Sequence, residues 1–425
     1  MRYFVPLPPP SFWTTLPRLC LCWLCLSLWG LAEQAEVSLA AWLPADFARD
    51  GSVSYHAAIQ TAIDEAAARR CRLRFLPMVY RLDGEGWKLR SHSDLDMRGA
   101  EFCWSETCNR DASLFEGDGV SQVSLYGGTV VGRNDRWKDG VNIRGIFLHG
   151  PSRQLRIEAM HFRDLSSNGI GIFGSESNYV RDVWVEDVVV ENCCKRYPEY
   201  LSQERGEPGS VREDQGDVAC YFVEDFRVRG SRFERSRSDG THFYRCRRGT
   251  IAENGIYRAK MGGFFLEQCE EVIGQGNLVV ENGSRGATIE RGCRNCVFAG
   301  NIVRGSGREG LWAPDCIGLV ITGNLFELNG RKPNGPPPDY VWNANITINE
   351  ARKEPTQSPT RDYLVSGNWI RTSSSQIAAI RVDAVAATES IVIHGNSLVG
   401  ENRRILVEGP ARNEVQVLAN IGAEP

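Results

Sequence analysis

The chain has 425 residues, a formal net charge of −4, 42% hydrophobic residues and 43 glycines. That length suits one large domain, and the mild acidity excludes nucleic acid as a natural partner. So many glycines in a chain of ordinary hydrophobicity point to a turn-rich β protein.

Residues 1–35 read as a secretory signal. Arg2 and Arg18 precede an apolar run from Leu19 to Leu31, and the small residues Ala32 and Ala35 follow. The run is too short for a membrane span; the alternative is a retained N-terminal anchor. Cleavage after Ala32 removes two arginines and no acids, taking the charge from −4 to −6. The mature chain is expected to be secreted, periplasmic or at the cell surface, with no membrane association once the signal is gone. Of 14 cysteines, Cys20, Cys22 and Cys25 leave with the signal and eleven remain. Cys103 and Cys108 are close enough in sequence to close a small loop.

The remainder, 36–425, reads as one domain, with an N-terminal cap and first coil over 36–85. A helix is expected from Asp46 to Ala68, its apolar face marked by Tyr55, Ala58, Ile59, Ala62 and Ile63. Leu73–Pro77 and Tyr80–Leu82 follow as strand. Val123–Tyr126 and Ile146–Leu148 are strand candidates in an irregular region that runs to about Ile157. More regular units occupy 155–420.

From Phe226 onward the chain repeats. Gly230-Ser231-Arg232-Phe233, Glu253-Asn254-Gly255-Ile256, Gly276-Asn277-Leu278-Val279, Gly300-Asn301-Ile302-Val303 and Gly323-Asn324-Leu325-Phe326 are spaced 23, 23, 24 and 23 residues apart. Looser copies follow at Gly367-Asn368-Trp369-Ile370 and Gly395-Asn396-Ser397-Leu398. Cys246, Cys269, Cys293 and Cys316 keep the same beat. A fixed period of this size signals stacked supersecondary units. Each unit holds short β-rich runs such as Thr241–Tyr244, Gly263–Leu266 and Leu319–Thr322, not helix-period stretches, and the leucine-rich-repeat spacing is missing. One turn of a parallel β-helix with three short strands fits. Stacking buries an apolar face that one coil cannot bury alone. The recurring Gly or Asn suits a tight turn at positive φ. The laddered cysteines read as small buried packing residues, because parallel side-chain vectors oppose disulfides between stacked coils. Cys293-x-x-Cys296 stands alone and is weak support for a metal.

These residues resemble the right-handed parallel β-helix proteins of the pectate-lyase-like superfamily. Ala45-Asp46-Phe47, Asp50-Gly51 and Ala57–Ala66 are similar to that group's N-terminal segment, which implies a capping helix before the first strand. The resemblance spans about 45–420. It implies an all-β single-stranded right-handed parallel β-helix solenoid.

Two stretches break the beat: Glu186 to Gly230 and Gly323 to Gly367 are each 44 residues. The first contains a charged excursion from Cys194 to Gly216. The second contains Arg331–Pro338, rich in proline, and a further excursion from Glu350 to Asp362. The first and the proline-rich one leave at the same phase, so they project from one face and are expected to wall a groove over 226–320.

Alternation along the strands then assigns the groove floor. Thr241, Phe243, Phe264, Leu266, Ala287, Ile289, Leu311 and Ala313 point in. His242, Tyr244, Phe265, Glu267, Thr288, Glu290 and Trp312 point out, with Arg291 beside the one-residue expansion. Asp239, Arg258 and Lys260 lie in adjoining turns. Aromatics beside carboxylates and cations suit a sugar chain, with Phe265, Trp312, Asp239 and Arg258 as substrate-binding candidates. The polysaccharide is the expected partner.

Glu267 and Glu290, one coil apart, can serve a retaining hydrolase or hold calcium; the cofactor is otherwise open. Uronate chemistry instead needs a cation, a base and an acid, for which Arg291, Lys260, His242 and Tyr244 are candidates. Arg291-Gly292-Cys293-Arg294-Asn295 with Gly300-Asn301 resembles a coil of the alginate-lyase and chondroitinase-B type, which implies a catalytic role for Arg291. That type implies a lysine base one coil earlier; Glu267 stands there, with Lys260 nearby. The Asn-Thr-Asp, Asp-Asp and Gly-His-Gly motifs of polygalacturonases and the Tyr-Gly-x-Asp-Pro-His signature of alginate epimerases are missing. The sequence thus favours a lyase on an acidic polysaccharide, ahead of a hydrolase or a non-catalytic binding protein. Asn282-Gly283-Ser284 and Asn345-Ile346-Thr347 are glycosylation sequons.

Overall fold

The computed structural model describes residues 35–138, 140–194, 215–331, 344–350, 358–385 and 387–424. The expected signal, apart from residue 35, and most of the three excursions fall outside these residues, and so do the expected groove walls. Among the described residues no helix is long and apolar enough to cross a membrane.

Each coil gives one short strand to each of three sheets. Glu270–Gln275 lies in the first, Leu278–Val280 in the second and Ala287–Glu290 in the third. Stacking makes sheets of 14, 12 and 12 strands, and their pairings are parallel. The pairs Arg227–Thr250, Thr250–Ile273, Ile273–Val297 and Val297–Val320 advance by 23, 23, 24 and 23 residues, the period read from the sequence. The extra residue of the longer coil falls after Glu290, since Glu267 still pairs with Glu290 while Glu270 bridges to Arg294. The described chain leaves the second sheet at Val189–Glu191 and at Leu325–Glu327, and it resumes in the third at Val218–Tyr221 and Ala344–Ile348. Both interruptions therefore separate the same two sheets. Glu186 pairs with Arg229, one residue short of the 44-residue step.

The Gly-Asn turns do more than relax φ. Gly276, Gly300 and Gly323 take the positive φ, and the asparagine after each turns inward. Asn254, Asn277, Asn301, Asn324, Asn368 and Asn396 are 0–1% exposed. Asn301 shows the pattern. Its Oδ1 accepts from the Asn277 backbone N–H and amide, both at 2.9 Å. Its own Nδ2 donates to Gly274 O and to Asn324 Oδ1, both at 3.0 Å. Both ends of the buried side-chain amide are thus satisfied by the coils on either side. A second inner ladder takes both sequons. Asn282 Oδ1 accepts from Ala259 N at 2.9 Å, and Asn345 Oδ1 accepts from Asn329 at 2.9 Å.

The helix starts later than expected, at His56, and runs to Arg69. Gly51 at φ 78°, an Asp50–Ser52 turn and the Tyr55 hydroxyl, which accepts from Ala48 N at 2.6 Å, hold the preceding segment out of helix. Ile59, Ala62, Ile63 and Ala66 cover the end of the core. A strand, Glu36–Ser38, precedes the helix and pairs with Arg72–Arg74, so the helix sits within the first coil and not before it.

Among the described residues no two cysteines are joined in a disulfide. In the ladder, the thiols of Cys246, Cys269 and Cys316 donate to the carbonyls of Cys220, Phe243 and Ile289 at 3.0–3.3 Å. Cys103 and Cys108 close no loop; the Cys103 thiol lies 3.2 Å from Glu101 Oε1. Cys293 and Cys296 are buried, and the Cys296 thiol donates to Arg294 O at 3.3 Å.

Candidate functional site

On the third sheet, alternation and register place two outward columns side by side. One runs Ala219, His242, Phe265, Thr288, Trp312, Thr347 and Arg381; the other runs Tyr221, Tyr244, Glu267 and Glu290. The inward and outward assignments from the sequence hold over these coils.

Polar side chains on an outer face ordinarily meet water. Here His242, Glu267 and Glu290 are 1%, 6% and 3% exposed, so they are held by one another. His242 Nε2 stands 3.4 Å from Glu267 Oε2, and its Nδ1 is 3.2 Å from the Tyr221 hydroxyl. The imidazole stacks on Phe265. Tyr221 meets Tyr244 edge-on with centroids 5.6 Å apart. Arg291 donates to Glu267 Oε1 at 3.0 Å and lies 3.5 Å from Glu290 Oε1. The two glutamates thus share one guanidinium as their common cation. Among the described residues no group of three His, Cys, Asp or Glu side chains could hold a metal ion.

The next coils carry a second cluster. The Arg285 guanidinium lies over the Trp312 indole, which donates to Asn349 Oδ1 at 2.7 Å. Arg285 also lies 3.4 Å from Glu309. Burial pushes the Glu309 carboxyl above the usual range, only partly offset by Arg285.

The expected residues divide in three. His242, Tyr244, Phe265, Glu267, Glu290, Arg291 and Trp312 come together on the third sheet. Asp239 braces the turn leading into it, accepting from Gly262 N at 2.7 Å and from Gln215 at 2.9 Å, and Lys260 is exposed in the equivalent turn one coil on. Arg258 lies elsewhere, at the end of a second-sheet strand, where it pairs with Glu234. Tyr221, Arg285, Glu309 and Asn349 were not singled out from the sequence. Tyr221 lies just beyond the first excursion, outside the regular beat. Asn345-Ile346-Thr347-Ile348-Asn349 does carry a strand alternation, but the proline-rich interruption hides its phase.

The family described as the right-handed beta helix region matches residues 209–352. No curated protein matches the chain in sequence. Among solved structures, the chain is similar to the A-module of the mannuronan C-5 epimerase AlgE6 of Azotobacter vinelandii: TM-score 0.71, 15% identity, 91% of this chain and 99% of that one. It is also similar to an exopolygalacturonase from Thermotoga maritima (TM-score 0.52, 12% identity, covering 91% and 92%). A third is PfbA, a surface adhesin of Streptococcus pneumoniae (TM-score 0.55, 14% identity, covering 88% and 91%). At such identities the likeness establishes the fold: a right-handed parallel β-helix.

Proposed function

We propose, with that fold as the premise, that this chain acts on an acidic polysaccharide and removes the proton beside a uronate carboxylate. The observation that carries the reading is the line Glu267–His242–Tyr221 on one outer face. A phenol of ordinary acidity keeps its proton at neutral pH and becomes a base only once that proton is drawn off. An imidazole against its hydroxyl, backed by a carboxylate, provides the route by which that proton is drawn off. Tyr221 then takes the proton from C5 of the sugar. In β-elimination the electron pair forms the C4–C5 double bond, the C4–O bond breaks, and Tyr244 protonates the leaving oxygen. In C-5 epimerisation no bond to oxygen breaks, and C5 is reprotonated from the opposite face. Arg291 supplies positive charge beside the uronate carboxylate, and the face of the Trp312 ring not covered by Arg285 is left for a sugar to stack on.

Elimination is the reading favoured by the sequence. Epimerisation joins it because the same first step serves both, and because a mannuronan C-5 epimerase module shares the architecture over nearly its full length. A hydrolase fits less well. It needs two carboxyls free to act as acid and nucleophile, whereas Glu267 and Glu290 share one guanidinium, Arg291, at 3.0 and 3.5 Å.

The test is to incubate the mature chain in D2O with a panel of polyuronates. Ultraviolet absorbance from an unsaturated uronate establishes a lyase. Deuterium at C5 without absorbance establishes an epimerase. Neither signal on any polymer would sink the proposal; reducing ends would then mark a hydrolase, and binding alone an adhesive surface.

A further inference from the structure

The first sheet carries a groove that the third-sheet chemistry does not use. It has a volume of about 590 Å³, within the range of ligand sites. Its floor is one column of the register: Asp94 pairs with Ser124, Ser124 with Arg156, Arg156 with Trp184 and Trp184 with Arg227. Gln122 and Gln154, both at left-handed φ, line one side. Trp184 is 38% exposed, the one aromatic among the exposed large apolar side chains of the described residues. Arginines one coil above and one coil below flank it, with side chains about half exposed. Glu186, in the neighbouring column, braces both at 3.7 and 3.9 Å. Arg156 also donates from Nε to Glu158 at 2.9 Å, while its terminal nitrogen and Arg227 meet Glu186 only at these longer separations, which leaves those forks loosely engaged.

We propose that this groove is a second glycan-binding site, taking an anionic sugar chain laid along the helix axis. Five coils span roughly 20 Å, room for about four pyranose units in extended form. The indole presents an apolar face of the kind that pyranose C–H groups stack on. Arg156 and Arg227 then stand one coil to either side of the stacked ring, where carboxylates on adjoining units would meet planar forks. Gln122, Gln154 and Ser124 supply neutral donors and acceptors for hydroxyls. Arg70 and His92 add basic character at one end. Asp94 is already paired with Arg72 at 3.1 Å, so it opposes an anion less than an unpaired carboxylate would. A nucleic-acid strand is a poorer occupant: its denser charge would run past both Asp94 and Glu186, and one exposed ring gives bases little to stack on. The site does not need the third sheet to be catalytic.

The test is calorimetric titration of the mature chain with tetragalacturonate, tetramannuronate and neutral cellotetraose. It is run on the wild type and on Trp184→Ala, Arg227→Ala and Trp312→Ala. The expected result is that at least one uronate tetramer binds, and that binding persists in Trp312→Ala. It weakens at least tenfold in Trp184→Ala and in Arg227→Ala, weakens with added salt, and is much poorer for cellotetraose. Arg227, being surface-exposed, keeps the test open if Trp184→Ala does not fold. Wild-type affinity in both first-sheet variants, or loss of all binding in Trp312→Ala, overturns the site. Equal binding of cellotetraose overturns its preference for anions. Because the readout is binding, failure of the proton-abstraction chemistry leaves this result intact, and the converse holds too.

Discussion

The imidazole of His242 lies face to face on the ring of Phe265 one coil away, with centroids 4.4 Å apart and planes within 4°. Such a stack fixes the ring plane and so aims both nitrogens sideways into the neighbouring column. There one meets Glu267 and the other Tyr221. A phenyl group beneath a polar ring therefore acts as a positioning surface.

The first prediction follows from this arrangement. His242→Ala and Tyr221→Phe should each lower the initial rate on a polyuronate by about 10²–10⁴-fold, the usual reach of general acid–base groups. Phe265→Leu should cost less, roughly tenfold, because the imidazole survives but its plane is released. Circular dichroism should show all three folded. A His242→Ala rate within twofold of wild type would remove the imidazole from the chemistry.

A second prediction concerns Asp217, a fully buried carboxyl at the head of the Val218–Tyr221 strand. Burial pushes its pKa well above the usual carboxylate range, and the Ser236 hydroxyl opposes this only in part. A raised folded pKa favours the fold below the unfolded value near 4, and the advantage is lost as pH rises toward the folded value. Asp217→Asn should therefore stabilise the fold at pH 7 by on the order of 1–3 kcal/mol, read as a higher Tm, and by little at pH 4. A difference between variant and wild type that stays flat across this range would show that the carboxyl titrates normally.

The inner ladder sets a third expectation. Asn301→Ala leaves the Asn277 N–H, the Asn277 amide and the Gly274 carbonyl each short of a partner inside the core. The cost should be about 2–5 kcal/mol, read as a fall in the urea midpoint. Asn420→Ala, at the part-buried end of the same ladder, should cost less than half as much. Equal costs would mean that the ladder's burial does not set its energy.

Fourth, neither sequon should carry a glycan in folded protein. Asn282 and Asn345 are 1% and 0% exposed and face other inner polar groups. Expression through a glycosylating secretory pathway, followed by intact-mass and peptide mapping of the folded fraction, should find both asparagines bare. A glycan on either one in correctly folded material would contradict the inner ladder.

The solenoid and the register over 226–320 were legible because two markers in phase, the Gly-Asn turns and the cysteines, fix the coil length. Once the length is known, alternation assigns each side chain a face. Position along the coil was harder to read. Arg258 sits two residues from Lys260 yet belongs to another sheet, since the bend between sheets falls within those residues. Tyr221 escaped because the excursion before it removes the phase. The paired burial of His242 and Glu267 could not be read at all, since it depends on side chains from successive coils closing on one another. The inner asparagines looked like turn residues because glycine and asparagine share that habit; only the structure separates the one that bends the chain from the one that bonds inward.

The inward asparagine ladder also bears on how this molecule can change over time. Spacing between coils is set by the backbone ladders of the three sheets, and the inner asparagines lock the turns to it with hydrogen bonds that take no account of what stands outside. A substitution in an outer column can therefore disturb the side chains it touches in the next coil, as Phe265 touches His242, without shifting the backbone of the coils beyond. Effects of outer-face changes in well-separated coils should be close to additive. The exterior is in that sense a pegboard, on which specificity can be rewritten one peg at a time while the frame stays put.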